Sequence, residues 1–366
     1  MANKIVNEYE PDFVSSPGET LLETIEYLGI SQVDLAIRTG RPSKTINEII
    51  KGKTAITTET ALQLERALGV PASFWMNSQR HYDEHAMRVA EKEQLERNTR
   101  WMTLFPVSAM IKMRWITKYT DKVSQLRELL NFFGVASPDA WNKYQSKYKE
   151  LHRKSYKYEV DQYALAAWLR RGELLAQQIE CKPYDRERFK DTLRKIRRLT
   201  LENSDIFREE LYKLCLESGV IFLIVPELPK IRVSGVAHWL TMDKADKAVI
   251  QLSLRHKTDD HFWFSFFHES AHILQEFKKG VFVDESRKRE YEEDLERKAD
   301  EFASEMLVPA VALTKFIKNA DFSKKAISAF ANQIGVSPGI VVGQLQHFGC
   351  LPYSHCNELK RILEWK

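Results

Sequence analysis

Cysteine is scarce, with four residues in 366 (Cys181, Cys215, Cys350 and Cys356) and no CxxC pair. That excludes a disulfide framework and a thiolate zinc knuckle, and predicts reduced thiols in a cytoplasmic protein. Glycine and proline number only 14 and 12, so collagen-like and linker-dominated architectures are excluded as well. No run approaches the roughly 18 apolar residues of a membrane span. The opening MANKIVNEYEPD lacks the apolar core of a secretory leader, and no membrane partner is expected. Charge of one sign is missing too. Lys plus Arg total 55 against 51 Asp plus Glu, so any nucleic-acid surface must be local. What is present is 43% hydrophobic and 29% charged residues, the composition of a soluble, core-forming chain. The length predicts two or three domains.

Residues 18–90 read as short helices, because Gly29, Gly40, Gly52 and Gly69 each follow an apolar-periodic stretch. Residues 91–215 stay helical but become rich in Trp, Tyr, Lys and Arg. Within them Arg170, Arg171 and Glu173 interrupt the apolar stretch ALAAWLRRGELLA; either these charges meet the C-terminal domain or its substrate, or Gly172 marks an exposed turn. The period then changes. GVIFLIV (219–225), VSGVAHWLTM (233–242) and KAVIQLSL (247–254) read as three strands, with GVFVDE (280–285) a candidate edge strand. Residues 259–277 and 289–307 read as helices, and the tail 310–366 is helical again. These readings give an α+β chain, mostly α. Three regions are expected: residues 1–90 all-α, a helical middle at 91–215, and 216–366 with a small sheet and further helices.

The segment SQVDLAIRTGRPSKTINEIIKGK (31–53) has the spacing of a helix-turn-helix that starts at Gln32. The small Ala36 lets the second helix pack closely, and Gly40 frees the inter-helix turn. Ile46 and Ile49 anchor the inner face of the recognition helix. Ser43 is placed to cap it, which leaves Lys44, Thr45, Asn47 and Lys51 on other faces. Arg38, Arg41, Lys44, Lys51 and Lys53 stand against the single Glu48 over 38–53, a basic patch confined to the presumed reading face. The DNA-contacting set is therefore Gln32, Arg41, Ser43, Lys44, Thr45, Asn47, Lys51 and Lys53. With PASFWMNSQRHYD (71–83) included, residues 15–85 resemble the XRE-type helix-turn-helix of HigA-like antitoxins. The resemblance implies a homodimer on palindromic double-stranded operator DNA.

The segment DDHFWFSFFHESAHILQEF (259–277) contains His268-Glu269-Ser270-Ala271-His272, an HExxH. On a helix the two histidines share one face, so both can turn toward one Zn²⁺, with Glu269 beside them as general base. The surrounding helix is apolar, and imidazoles and a carboxylate on a buried helix need partners. A third ligand should come from another element. On EEDLERKADEFASEMLVP (292–309) the apolar face runs through Leu295, Ala299, Phe302, Ala303, Met306 and Leu307, and Glu296 falls beside it. Glu292 fits that face less well and is the alternative; Glu293 and Glu301 read as solvated.

FWFSFFHESAHIL followed by ERKADEFASEMLVP resembles the ImmA/IrrE metallopeptidase family, of gluzincin type. The resemblance covers about 215–350 and implies zinc on His268, His272 and Glu296, with Glu269 as catalytic base. Where the family commonly reads HELGH, this chain has Ser270 and Ala271, which keeps the small residue at the second position. His347 is a candidate substrate or transition-state contact; His238 and His261 read as structural. The whole resembles a fusion regulator: a DNA-binding protein with a zinc endopeptidase that acts on a repressor or toxin. The alternative is an autoregulating antitoxin that binds operator DNA and a toxin, its metal domain a sensor or scaffold. Residues 143–157 interleave lysines and tyrosines and read as a solvated amphipathic helix, with a second nucleic-acid surface as the alternative.

Overall fold

The structure, a computed structural model, describes residues 14–145, 161–242, 245–275 and 285–363. Two sequence readings, the GVFVDE strand and most of the lysine–tyrosine stretch, lie outside the described residues. The chain forms two compact units, one reaching Thr99 and including Asp121–Val123, the other holding the rest.

The first unit is all-α: α1 (Pro17–Tyr27), α2 (Gln32–Thr39), α3 (Ser43–Ile50), α4 (Thr58–Leu68) and the long α5 (Ala72–Asn98). Local chemistry sets the boundaries. Ser16 and Ser31 each close a capping box, with Glu19 and Asp34. Gly40 ends α2 at φ 68°, a left-handed conformation that glycine adopts without steric cost. Leu21, Ile25, Leu35, Ala36, Ile46, Ile49, Leu64 and Trp75 form one buried core. A Cβ on Gly18 would lie 2.2 Å from the carbonyl oxygen of Ile49, so only glycine lets α1 abut the end of α3 so closely.

The second unit begins with helices α6 (Val107–Lys112), α7 (Lys122–Phe133, whose first residues belong to the first unit), α8 (Pro138–Tyr144), α9 (Gln162–Ala176), α10 (Arg186–Arg198) and α11 (Ser204–Glu217). Strands β1 (Val220–Ile224), β2 (Gly235–Met242) and β3 (Ala245–Leu252) follow in the order β1-β3-β2, β3 running parallel to β1 and antiparallel to β2. The chain continues through α12 (Asp259–Leu274), α13 (Glu285–Leu307), α14 (Ala310–Lys318), α15 (Lys324–Ile334) and α16 (Pro338–His347). Most of the region read as a helical middle, from Arg100 onward apart from Asp121–Val123, thus packs into the second unit. The Trp168 indole donates to the Val225 carbonyl at 2.9 Å, and Gln251 of β3 donates to the Trp168 carbonyl at 2.9 Å.

Gly172 is not an exposed turn. It is buried inside α9, where a Cβ would meet Gln251 Oε1 at 1.7 Å, so the missing side chain is what brings α9 onto the sheet. Arg170 and Glu173, both largely buried, pair at 3.0 Å on the same helix.

The opposite face of the sheet carries α12. Phe222 of β1 meets Phe262 and Phe266, and α12 is buried along most of its length. Its first turn is pinned. Asp259 accepts from the Ser337 hydroxyl at 2.5 Å and from the Arg361 amide at 3.0 Å, and Asp260 pairs with Lys360 at 2.7 Å in a buried ion pair. Removing one partner of such a pair strands a buried charge, at a cost of roughly 3–5 kcal/mol. The HExxH helix is therefore held at its start independently of any metal. Ala331, Gly335 and Val341, which repeat the helix-turn-helix spacing, belong to the α15–α16 packing hairpin, with Ala331 and Val341 wholly buried.

Candidate metal centre and nucleic-acid interface

The histidines of α12 face α13, because both fall on the side of the helix that the sheet leaves free. His268 Nε2 and His272 Nε2 lie 3.1 Å apart, and the Glu296 carboxylate oxygens lie 3.3 Å from each. The three donor atoms fall within 4.8 Å of one another. Glu292 lies on α13, but its side chain is outside the described residues. Glu293 and Glu301 are exposed.

Two nitrogens and a carboxylate aimed at one point do not satisfy each other by hydrogen bonding alone. His272 turns Nε2 to this point, and its other ring nitrogen, Nδ1, is buried without a hydrogen-bond partner among the described residues. Burial works against the His268 imidazolium, but hydrogen bonds to Asp300 and Glu296, with the charges of Glu269 and Glu296, outweigh it and push its pKa up to about 10. Burial likewise favours a neutral Glu296, yet hydrogen bonds from both histidines hold it well below the usual carboxylate range. His268, His272 and Glu296 could together hold a metal ion. Two imidazoles and one carboxylate suit zinc with a position left open.

Two contributors escaped the sequence reading. Asp300 Oδ1 lies 2.9 Å from His268 Nδ1, placed to accept from it while Nε2 faces His272 and Glu296. The available signal was its place one helical turn beyond Glu296. Gly235 opens β2, and a Cβ there would lie 2.9 Å from Glu269 Cγ and 2.5 Å from Leu252 Cδ2, so the glycine makes room for the Glu269 side chain. A glycine inside a strand pattern was the available signal. His347 is exposed at the end of α16, with its ring against Phe348. No hydrogen bond among the described residues joins it to the metal ligands.

In the first unit, α2 and α3 pack through Leu35, Ala36, Ile46 and Ile49. Lys44, Asn47 and Lys51 share the face of α3 opposite that core. Ser43, Lys44, Lys51 and Lys53 are exposed, while Thr45, Asn47 and Gln32 are half-buried. The Asn47 amide donates to Gln32 Oε1 at 3.3 Å. Two expectations need correcting. Ser43 does not cap α3; it is the first helical residue, and Pro42 takes the cap position without a side-chain hydrogen bond, because proline's fixed φ already sets the turn. Arg41 is turned inward, with Nε donating to Gln63 at 2.5 Å and the guanidinium 3.1 Å from Glu59, so it ties the turn to α4.

Among the described residues no single helix is long and apolar enough to cross a membrane. Residues 26–75 match the helix-turn-helix family model, and residues 229–345 match that of the IrrE N-terminal-like domain. Over 80 residues the chain is 40% identical to Virulence-associated protein I of Dichelobacter nodosus, a match that covers 21% of this chain and 69% of that protein. A solved addiction module antidote protein of the HigA family from Coxiella burnetii is 31% identical, over 23% of this chain and 91% of its own, with a TM-score of 0.22. The chain belongs to the same family as Virulence-associated protein I, with a helix-turn-helix module toward its N-terminus and an IrrE N-terminal-like domain toward its C-terminus.

Proposed function

We propose that this protein is a DNA-binding regulator whose second unit is a zinc-dependent endopeptidase acting on a protein partner such as a repressor or toxin. The convergence of His268, His272 and Glu296, with Glu269 on the same helix next to His268, carries this reading. Zinc held by His268, His272 and Glu296 would supply Lewis acidity to the scissile carbonyl and to the attacking water. Glu269 takes one proton as the water oxygen bonds to the carbonyl carbon, and delivers it to the amide nitrogen as the C–N bond breaks. Asp300 keeps His268 in its ligating tautomer, and Gly235 leaves the Glu269 carboxylate room to move between the two proton positions. An antitoxin with an inert metal scaffold would need no glutamate in that place. Incubating zinc-loaded protein with candidate repressors and toxins tests the assignment, and cleavage that persists in Glu269→Gln would remove it.

The first unit reads operator DNA, as a two-fold dimer in a cytoplasmic setting. Lys44, Lys51 and Lys53 meet phosphates, while Thr45 and the Gln32–Asn47 pair meet base edges. Lys44→Ala is expected to weaken binding to all sequences alike and to reduce the salt slope by about one unit. Arg41→Ala is instead expected to lower the melting temperature of this unit and leave the salt slope unchanged. Fluorescence anisotropy across a salt series, with thermal melts, separates the two; a flatter slope for Arg41→Ala would return that residue to the DNA-contacting set.

A further inference from the structure

One turn of α12 before Glu269, the helix passes a small recess, with room for about one water, lined by Ser234, Arg255, His256, His261 and Ser265 among apolar side chains. Ser234 precedes Gly235, and Gly235 touches Glu269, so recess and general base adjoin along the same strand and the same helix. The chain reaches this corner through Leu254 in the left-handed region at φ 56°, a conformation that a branched residue adopts only when its surroundings impose it. The turn is held by Ser253, whose hydroxyl donates to the Val233 carbonyl at 2.6 Å and accepts from the Arg255 amide at 3.3 Å. It presents Arg255 and His256 beside His261, whose ring stacks on that of His256 at 4.2 Å.

The charge at this corner is positive. Lys360 is neutralised by Asp260 at 2.7 Å. Arg255 and Lys257 act on the carboxylate of Glu227, while Asp260 acts on both imidazoles. Burial first lowers the pKa of both imidazoles, helped at His256 by His261 and Arg255 and opposed at both by the Asp260 carboxylate, so at neutral pH they serve as neutral hydrogen-bonding groups and Arg255 supplies the charge.

We propose that this corner is a subsite for an acidic side chain of the peptide substrate, placed within two residues of the bond that is cut. The proposal rests on the peptidase reading of the second unit. Spacing supports it: one helical turn, about 5.4 Å, separates Ser265 from Glu269, and alternate side chains of an extended peptide stand roughly 6.6 Å apart. A carboxylate there receives charge-assisted hydrogen bonds from Arg255.

The test uses two fluorescent octapeptides, identical except for Asp or Asn at alternate positions. Their binding is measured by anisotropy on zinc-loaded, full-length protein carrying Glu269→Gln, so that nothing is cut. The Asp peptide is expected to bind about tenfold more tightly. Arg255→Ala should abolish that preference, and Arg255→Lys should keep part of it. Equal binding of the two peptides, or a preference that survives Arg255→Ala, overturns the subsite. Digestion of both peptides by the unsubstituted protein is read separately. If neither is cut while the Arg255-dependent preference is present, the peptidase reading fails and the acidic subsite stands; if both are cut at one rate and bind alike, the reverse holds.

Discussion

Replacing Glu269 with glutamine is expected to cut hydrolysis of the protein partner by about 10²–10⁴-fold, the usual contribution of a positioned general base. The expectation is specific because glutamine keeps the volume and hydrogen-bonding reach of the side chain and loses only the basic oxygen. Glu269 is buried between α12 and the first residue of β2, where Gly235 leaves just enough room for it. Glutamine fits that space, so metal content and melting temperature should stay at the level of the unsubstituted protein while turnover falls. Single-turnover digestion followed by mass spectrometry, with metal analysis of the same samples, checks both halves. A variant that still cuts at more than a tenth of the original rate would show that another group moves the proton.

The second large effect is expected at Asp300. It touches no metal position; it acts through His268, by accepting from Nδ1 at 2.9 Å. Removing the outer partner of a ligating histidine typically weakens metal affinity by about 10–100-fold. Asp300→Ala should therefore raise the zinc dissociation constant by that factor. Asp300→Asn, whose amide oxygen can still accept the bond, should recover much of the loss. Competition against a chromophoric chelator measures both. Because the Asp300 side chain is half-exposed, its loss should leave thermal stability nearly unchanged, which separates this effect from unfolding. Equal affinity in Asp300→Ala and the parent would mean that packing alone fixes the His268 ring.

The meeting of His268, His272 and Glu296 could be read in the sequence because helical spacing is a strong constraint. Two histidines four apart, and a glutamate beside an apolar stripe on a second helix, leave few ways to be arranged once both helices are buried. The helix-turn-helix was readable for the same reason: Ala36, Gly40, Ile46 and Ile49 are core and turn positions, and all four play those parts. What could not be read depended on partners distant in the chain. Arg41 looked like a phosphate contact because its charge matched its neighbours, yet Gln63 and Glu59 on α4 claim it. Gly172 looked like a turn because glycine breaks isolated helices, yet the close approach of Gln251 demands it inside one. Asp300 sits on a helix dense with charges, and only the proximity of α12 distinguishes it. The middle helices carried no sign in their composition that they would pack into the second unit.

The central claim is that α12 and α13 together hold one catalytic zinc, and metal stoichiometry of the purified full-length chain tests it most directly. After zinc loading and removal of free ion, elemental analysis should find about one zinc per chain in the parent and in Glu269→Gln, as expected for a site with three protein ligands. The Glu296→Ala chain should retain almost none, whereas Glu292→Ala should match the parent. Zinc retained by Glu296→Ala and lost from Glu292→Ala would contradict the account, because the carboxylate that meets both histidines would then not be the one that holds the metal.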